Sequence, residues 1–558
     1  MSGTGVADAL LEQVGKIDVA GIGDERTRAL VVLLLNVVED LGRELGKAHR
    51  EIAFLREQLR LRHGRGGKPD DKPAAAPPPH SSEKERAEPK QRTRRAKLAE
   101  VRIDREKKLE LDRASLPPDV EDKGYEAVVV QELLIATDNV KFLKKKYYSP
   151  STGKTYLAPL PEGYHGGYGP NLRTWCVVFA HRCHMTEPKI AEFLANTGIV
   201  ISAGQISNLL TEGHQALHKE REEIVEAGLN SSPWQHLDDT GTRVDGDNWH
   251  CHVLCNPLYT AYTTTRRKDR LTVVDVLRNG RDRTFRLNGE AMELLRQFKV
   301  SARVLERLRD APSDRDLGEG ELDQWLDRNI PWLQATARSR IVEATAIAAY
   351  HAAVGHPVVR LLICDDAGQF KLVTEQLALC WIHDGRHYKL LAPRLECHRQ
   401  LLDSFLKRYW DFYKELLAYR LQPSAREAVR LAGAFDELFS TATGYAALDG
   451  RIAKTKTNKG HLLLVLRHPE IPLHNNEAEL GARGRVRKRV VSYGPRSVKG
   501  VRAWDTFQTI FGTAKKLGVN IFHYLRDRIE DTRQMPALAD LIRQRAKQVP
   551  LGPSWDSS

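Results

Sequence analysis

The sequence predicts an α/β protein: a mixed sheet flanked by helices and interrupted by helical insertions. Three observations carry this reading. Residues 234–265 read as three consecutive strands, with a turn signal at Asp245-Gly246-Asp247-Asn248. Val358 to Cys364 is apolar apart from Arg360, close to the continuous run of a strand buried on both faces. Segments with helical spacing precede, separate and follow these strands.

A chain of 558 residues is too long for one compact domain. Lys and Arg number 86 against 73 Asp and Glu, a net charge of +13 that points to a polyanionic partner, nucleic acid before membrane. The seven cysteines form no CxxC pair, which argues against a disulfide framework and for a reducing compartment. No run of 18 uncharged apolar residues exists to span a bilayer, and the N-terminus lacks the basic-then-apolar layout of a signal peptide. The expectation is a soluble, cytoplasmic (nucleoid-associated) protein without membrane partners.

Residues 1–63 form the first unit. Leu34, Val38, Leu41, Leu45, Ala48, Ile52, Leu55 and Leu59 alternate spacings of four and three, the seam of a left-handed coiled coil. This predicts a homodimer or higher oligomer through residues 26–62, although one amphipathic helix docked on its own protein would look similar. Gly42 and Gly46 each weaken the helix by about 1 kcal/mol relative to Ala. Residues 64–113 read as a charged Pro/Gly-rich linker. Residues 114–168 suggest a small β-unit with strands in 125–137, 140–149 and 154–161. A helical region, 169–230, contains a helix, a turn at Gly198 and a further helix with Ile206, Leu209 and Leu210 inward, a helix-turn-helix-like pattern for binding DNA. Then come a core at 231–397 with a charged helical insertion near 270–335, a helical insertion at 398–467, and a closing unit at 468–558.

Acidic residues punctuate the core. Asp238 and Asp239 stand near the end of the first strand. Asp365 and Asp366 end the buried strand, where carboxylates are costly without metal or basic partners. Asp365 reads as functional, and Asp366 as a helix cap or auxiliary. Glu477 and Glu479 occupy the first turn of a helix begun by Asn475 or Asn476, and an Asn476–Glu479 capping box is the structural alternative for Glu479. Arg483, Arg485, Arg487, Lys488, Arg489, Arg496, Lys499 and Arg502 follow with no acid among them, as a site that grips a phosphate backbone requires. A zinc site of Cys380 and His383 with Cys397 and His398 is a weaker possibility. In His250-Cys251-His252-x-x-Cys255, strand alternation separates the two residue types.

These segments resemble a DDE transposase of the insertion-sequence sixty-six family. The similarity rests on Asp238-Asp239-Thr240, on Asp365-Asp366-Ala-Gly-Gln-Phe370, and on Cys380-Trp381-Ile382-His383-Asp384-Gly385-Arg386. It continues through Asn475-Asn476-Glu477-Ala478-Glu479 and the stretch from Gly512 to Tyr524-Leu525. It runs in order through residues 145–525. The resemblance implies a ribonuclease-H-like catalytic core in which Asp238, Asp365 and Glu479 are the catalytic, metal-ligating acids. Asp239, Asp366 and Glu477 are auxiliary or alternative acids. It also implies Mg2+ as cofactor, with Mn2+ a possible substitute, and double-stranded DNA, element ends and target, as partner. Accessory proteins from the same element are possible partners. Three features depart from the family pattern: no cysteine zinc finger in 90–165, Leu480 after the third acid, and extra length between the first two acids. Two other functions suit the same residues, a domesticated non-catalytic DNA-binding protein and a ribonuclease-H-like nuclease that cuts without joining.

Overall fold

The computed structural model describes residues 13–19, 21–62, 101–112, 116, 117, 121, 123–164, 167–312 and 315–551. The Pro/Gly-rich linker lies outside the described residues as far as residue 100.

At the centre is a five-stranded sheet of order β5-β4-β3-β6-β7. Strands β3 (Trp234–Val244), β4 (Asp247–Asn256) and β5 (Tyr259–Thr265) form an antiparallel meander. Asp245 and Gly246, both with positive φ, make the two-residue β3–β4 turn that matches strand twist. Strands β6 (Leu361–Cys364) and β7 (Gln376–Leu379) run parallel to β3. All four β6 residues are buried, as an internal parallel strand requires.

Helices α2 (Pro170–His181), α3 (Glu187–Asn196), α4 (Ala203–Thr211) and α5 (Gln215–Leu229) precede the sheet. Between β5 and β6 lie α6 (Arg270–Leu277), α7 (Gly289–Gln297), α8 (Ala302–Leu308), α9 (Glu319–Asn329) and α10 (Ala335–His351). After β7 come α11 (Trp381–Lys389), α12 (Glu396–Leu421), α13 (Ala425–Leu438), α14 (Ala446–Thr457) and α15 (Lys459–Leu462). The chain returns to the sheet with α16 (Asn476–Ser492) and α17 (Val498–Lys516), then ends in α18 (Ile521–Ile529) and α19 (Leu538–Gln548). Among the described residues, no helix is long and apolar enough to cross a membrane.

The outer edge of β5 is closed by a helix rather than a strand. The N–H groups of Thr260, Tyr262 and Thr264 donate to Thr513 Oγ1 (3.2 Å), Thr509 Oγ1 (3.0 Å) and Asp505 Oδ2 (2.7 Å). Four residues of helix advance about 6 Å and two of strand about 6.6 Å, so side chains every fourth residue of α17 meet every second N–H of β5. An otherwise open edge is thereby satisfied and covered.

One expectation for the N-terminal third is corrected. Residues 125–137 form no strand: a strand needs a ladder partner, and this segment has none among the described residues. Its Val128, Val130, Leu133 and Leu134 are exposed. Among the described residues there, the hairpin β1 (Lys146–Ser149) and β2 (Lys154–Leu157) is the strand pair that forms. The helix α1 (Glu25–Arg62) docks on its own chain, but by a different face from the heptad stripe. Leu35 and Glu39 are buried, and Asn36 bridges the carbonyl of Gly444 and the N–H of Ala446. Gly46 lies so close to the Arg394 guanidinium that a side chain would collide with it. Leu34, Leu41, Leu45, Ile52 and Leu55 face outward.

Replacing Thr509 by Val leaves the Tyr262 N–H buried without an acceptor. The expected loss is about 1–3 kcal/mol, read as a lower melting temperature with the shape of the side chain conserved.

Candidate active site

Strand register delivers the first two acids. His236 pairs with Ile363 across the parallel β3–β6 ladder, so two residues further on Asp238 comes level with Asp365. The third acid arrives on α16, which packs over the β4 face carrying Cys251 and Val253 through Ala478 and Ala482. Gly481 permits this approach, because a Cβ there would meet Val253 Cγ1 at 2.6 Å.

Asn475 sets the register of that helix. Its Oδ1 accepts from His236 Nδ1 (2.9 Å) and its Nδ2 donates to the Leu237 carbonyl (2.9 Å). One helical turn beyond Asn475 is Glu479, an advance of about 6 Å. Two strand residues beyond His236 is Asp238, an advance of about 6.6 Å. The pin at Asn475 thus carries Glu479 to Asp238. No side chain caps this helix, so the Asn476–Glu479 capping box is not formed.

The electrostatics register the convergence. Burial, then the charges of Asp365 and Glu479, push the Asp238 carboxyl up from 3.8 to about 7. Asp238 Oδ1 accepts from the Asp239 N–H (2.9 Å), and Asp365 Oδ1 from the Ala367 N–H (3.1 Å). Glu479 is only 11% exposed; Arg386 lies 3.0 Å from one oxygen and His383 3.6 Å from the other. Glu479 Oε1 and His383 Nδ1 are both buried without a hydrogen-bond partner. Cys380, His383 and Glu479 place one donor atom each within 4.8 Å of one another. Asp238, Asp365 and Glu479 offer hard oxygen donors, and burial disfavours the charge of Asp238; carboxylate oxygens are the donors a hard divalent cation prefers.

The alternative acids have other partners. Asp239 accepts from Gln369 Nε2 (2.6 Å) and pairs with Lys268 (3.3 Å). Asp366 caps no helix; it pairs with Lys371 (2.6 Å) and accepts from Asn458 (3.2 Å). Burial raises the Asp366 carboxyl, but Lys371 outweighs it and holds the group below its ordinary value. Glu477 is neutralised by Lys516 at 2.9 Å.

The basic run divides in two. Arg483, Arg487, Arg496 and Lys499 are exposed, with Lys499 3.2 Å from Glu212. Arg489 is half-buried and donates to the Gly241 carbonyl. Arg485 and Lys488 are buried, which corrects their assignment to phosphate binding. Arg485 reaches Gln508 Oε1 (2.7 Å), Thr264 Oγ1 (2.7 Å) and Asp505 (3.1 Å), and lies over the Trp504 ring. Lys488 donates to the Ala180 carbonyl, and burial lowers its ammonium to about 7. Helical spacing explains the split: 485 and 488 share the face turned to the sheet and α17, while 483 and 487 share the outer one.

A Cys380–His383–Cys397–His398 zinc site is also corrected. His398 faces Glu39 of α1 at 3.2 Å and stacks on Tyr445, whereas Cys380 and His383 gather at Glu479. Arg386, Lys268, Gln369 and Asn475 were not singled out as site residues from the sequence. Only the basic segment around His383 and the paired asparagines signalled any of them.

Residues 165–285, which include Asp238, match the profile of the transposase IS66 family. A protein of Sinorhizobium fredii (strain NBRC 101917 / NGR234) described as "Uncharacterized protein y4jO" is 31% identical over 327 residues. That span is 58% of this chain and all of the relative. The chain belongs to the IS66 transposase family. No solved structure matches it.

Two outcomes test this site. Because folding raises the Asp238 pKa, its ionisation destabilises the fold increasingly from about pH 4 to about pH 7. At ~1.4 kcal/mol per pH unit the full penalty is on the order of 4 kcal/mol, an upper figure before relaxation. Asp238→Asn removes that penalty, so its melting temperature exceeds wild type at pH 8 in chelator and the difference vanishes near pH 4. In the basic run, Arg485→Ala strands Asp505 in the interior and costs about 3–5 kcal/mol. Arg487→Ala changes thermal stability by less than about 0.5 kcal/mol.

Proposed function

We propose that this protein is a DDE-type DNA transposase that binds the ends of an insertion sequence and catalyses Mg2+-dependent strand cleavage and transfer into target DNA. The observation that carries this reading is the convergence of Asp238, Asp365 and Glu479, from three distant parts of the chain, at the edge of an exposed cationic helix face. The sheet order supports a ribonuclease-H-like core: three antiparallel strands extended by two parallel ones, with one acid on β3 and another directly after β6. Membership in a transposase family supports DNA as the substrate.

In this reading Asp238, Asp365 and Glu479 would hold Mg2+, with Mn2+ a possible substitute, which would supply activation of an attacking oxygen and charge stabilisation of the leaving oxygen in an in-line phosphoryl displacement. Arg483, Arg487 and Arg386 hold the backbone phosphates on either side of the scissile bond. His383 and Arg386, presented on α11, flank Glu479 and fix its carboxylate. Water first hydrolyses the element strand and frees a 3′-OH. That hydroxyl then attacks a target phosphodiester, forming one P–O bond as another breaks. The α3–α4 pair supplies a helix-turn-helix, with Gly198 at φ +85 in its turn and Ser202 capping α4. The outward stripe of α1 pairs with a second copy as a coiled coil. Accessory proteins from the same element complete the assembly where they are needed.

The test is a joining assay with a labelled 3′-OH end and supercoiled DNA. Asp238→Asn, Asp365→Asn and Glu479→Gln each lower Mg2+-dependent joining by about 100-fold or more while DNA binding persists. Glu477→Gln stays within a few-fold of wild type, because Lys516 already occupies that carboxylate. Unimpaired joining by any of the three acid variants overturns the assignment. Cleavage without joining in the wild-type protein identifies a nuclease instead.

A further inference from the structure

Beyond the acids, the same sheet face carries a cavity of about 570 Å³ lined by Thr242, Arg243, Asn248, Trp249, Arg489 and Tyr493, among others. Its volume falls within the ~300–1,000 Å³ range of small-ligand pockets. We propose that this cavity receives a nucleobase unstacked from the bound DNA strand, an inference that rests on the DNA-processing function proposed above.

Position is the first argument. Thr242 and Trp249 are cross-strand partners in the ladder that also carries Asp238. Four residues of strand separate Thr242 from Asp238, about 13 Å, or roughly four base steps of a B-form strand. A strand whose phosphate lies at the acids therefore passes the cavity within a few nucleotides.

The lining chemistry suits a base as well. Tyr493 is 84% exposed, an unusual placement for a large aromatic ring. The Arg266 guanidinium covers the Trp249 ring at 5.1 Å. Arg243 is exposed at the rim, and Arg489 is held at the wall by its bond to the Gly241 carbonyl. Aromatic faces beside guanidinium groups are what a base and its flanking phosphates require. Thr242 Oγ1, enclosed behind the cavity wall, has no hydrogen-bond partner.

Third, the ring is held in place. Tyr493 ends α16 at φ +59, a left-handed conformation that bulky residues rarely adopt. The next residue, Gly494, lies against the Arg243 carbonyl, where a Cβ would come within 2.3 Å. The Asp245 N–H donates to the Pro495 carbonyl (3.1 Å), which locks this segment onto the β3–β4 turn. The backbone thus holds a strained tyrosine outward on a rigid support, with exposed Val490 beside it.

The experiment compares two short duplexes of the same sequence, one fully paired and one with a single bulged nucleotide, in binding to the full-length protein. Wild type binds the bulged duplex about tenfold more tightly. Tyr493→Ala brings the ratio close to one, and Tyr493→Phe restores it; the ring is exposed, so unchanged melting temperatures verify folding. Equal affinities in wild type, or a preference that survives in Tyr493→Ala, overturn the inference while leaving the transposase reading intact if joining persists. Failure to bind either duplex overturns both.

Discussion

Mutual repulsion among three carboxylates is the constraint around which this structure is built. Asp238 sits level with Asp365 and near Glu479, and burial, followed by the charges of those two acids, pushes its carboxyl to about 7. Groups that repel must be held together by something else. The parallel β3–β6 ladder fixes the first pair through backbone hydrogen bonds that no side-chain charge can loosen. The third acid is held by Asn475, whose amide spends both of its functions on β3, immediately before Asp238. Its neighbour in the bond, His236, is driven by burial to about 3, so it stays neutral at physiological pH and adds no charge that would relieve the repulsion.

Positive charge in the chain serves two separate ends. Arg485, completely enclosed, ties α16 to α17 and β5 through Gln508, Thr264 and Asp505. Asp505 is also the first member of the Asp505–Thr509–Thr513 series that closes the β5 edge. One residue therefore anchors the helix bearing Glu479 and the edge of the sheet together. Arg483 and Arg487, on the opposite face of the same helix, are exposed, and Arg483 lies 4.0 Å from Glu479. A net charge of +13 overstates the surface available to a polyanion, because part of it is consumed in the interior.

The meander, the buried strand and the acid after it were legible in the sequence because they depend on local patterns: alternation, an Asp-Gly turn, a continuous apolar run; Asp238, expected near a strand end, instead lies in the middle of β3. Glu479 was legible from its place at the head of a basic helix. What could not be read were facts of tertiary contact. Arg485 and Lys488 look no different in sequence from Arg483 and Arg487; only the side of the helix that meets α17 separates them. Residues 125–137 have strand composition without a strand, since β propensity is realised only beside a ladder partner. The α1 stripe was recognised correctly as a helical period, yet docking uses Leu35, Asn36 and Glu39, where polar atoms choose the face. The roles of Asp505, Thr509 and Thr513 were invisible as well, because i, i+4 polar residues on a helix ordinarily face solvent.

That docking face reaches further than the N-terminal helix. The N-terminus of α12 presents N–H groups that no side chain of its own caps. Glu39 accepts from Arg394 N (2.7 Å) and Leu395 N (3.0 Å), and Gly15 O accepts from Cys397 N (3.2 Å). Burial works against the Glu39 charge, but these donors and His398 hold its carboxyl below the ordinary range. Helix α12 in turn carries Tyr409, whose hydroxyl donates to the Trp381 carbonyl (2.9 Å) and to Asp384 (3.1 Å) on α11. Asp384 is paired with Arg451 of α14 in the interior, so α11 is gripped from two sides. The outer side of α11 is the one that sets His383 and Arg386 against Glu479. A continuous series of buried hydrogen bonds therefore joins α1 to the cationic side of the carboxylate cluster. Its members are individually ordinary hydrogen bonds, linked through α12. Without α1 in its dock, the N–H groups of Arg394 and Leu395 would lose the Glu39 carboxylate that accepts from them.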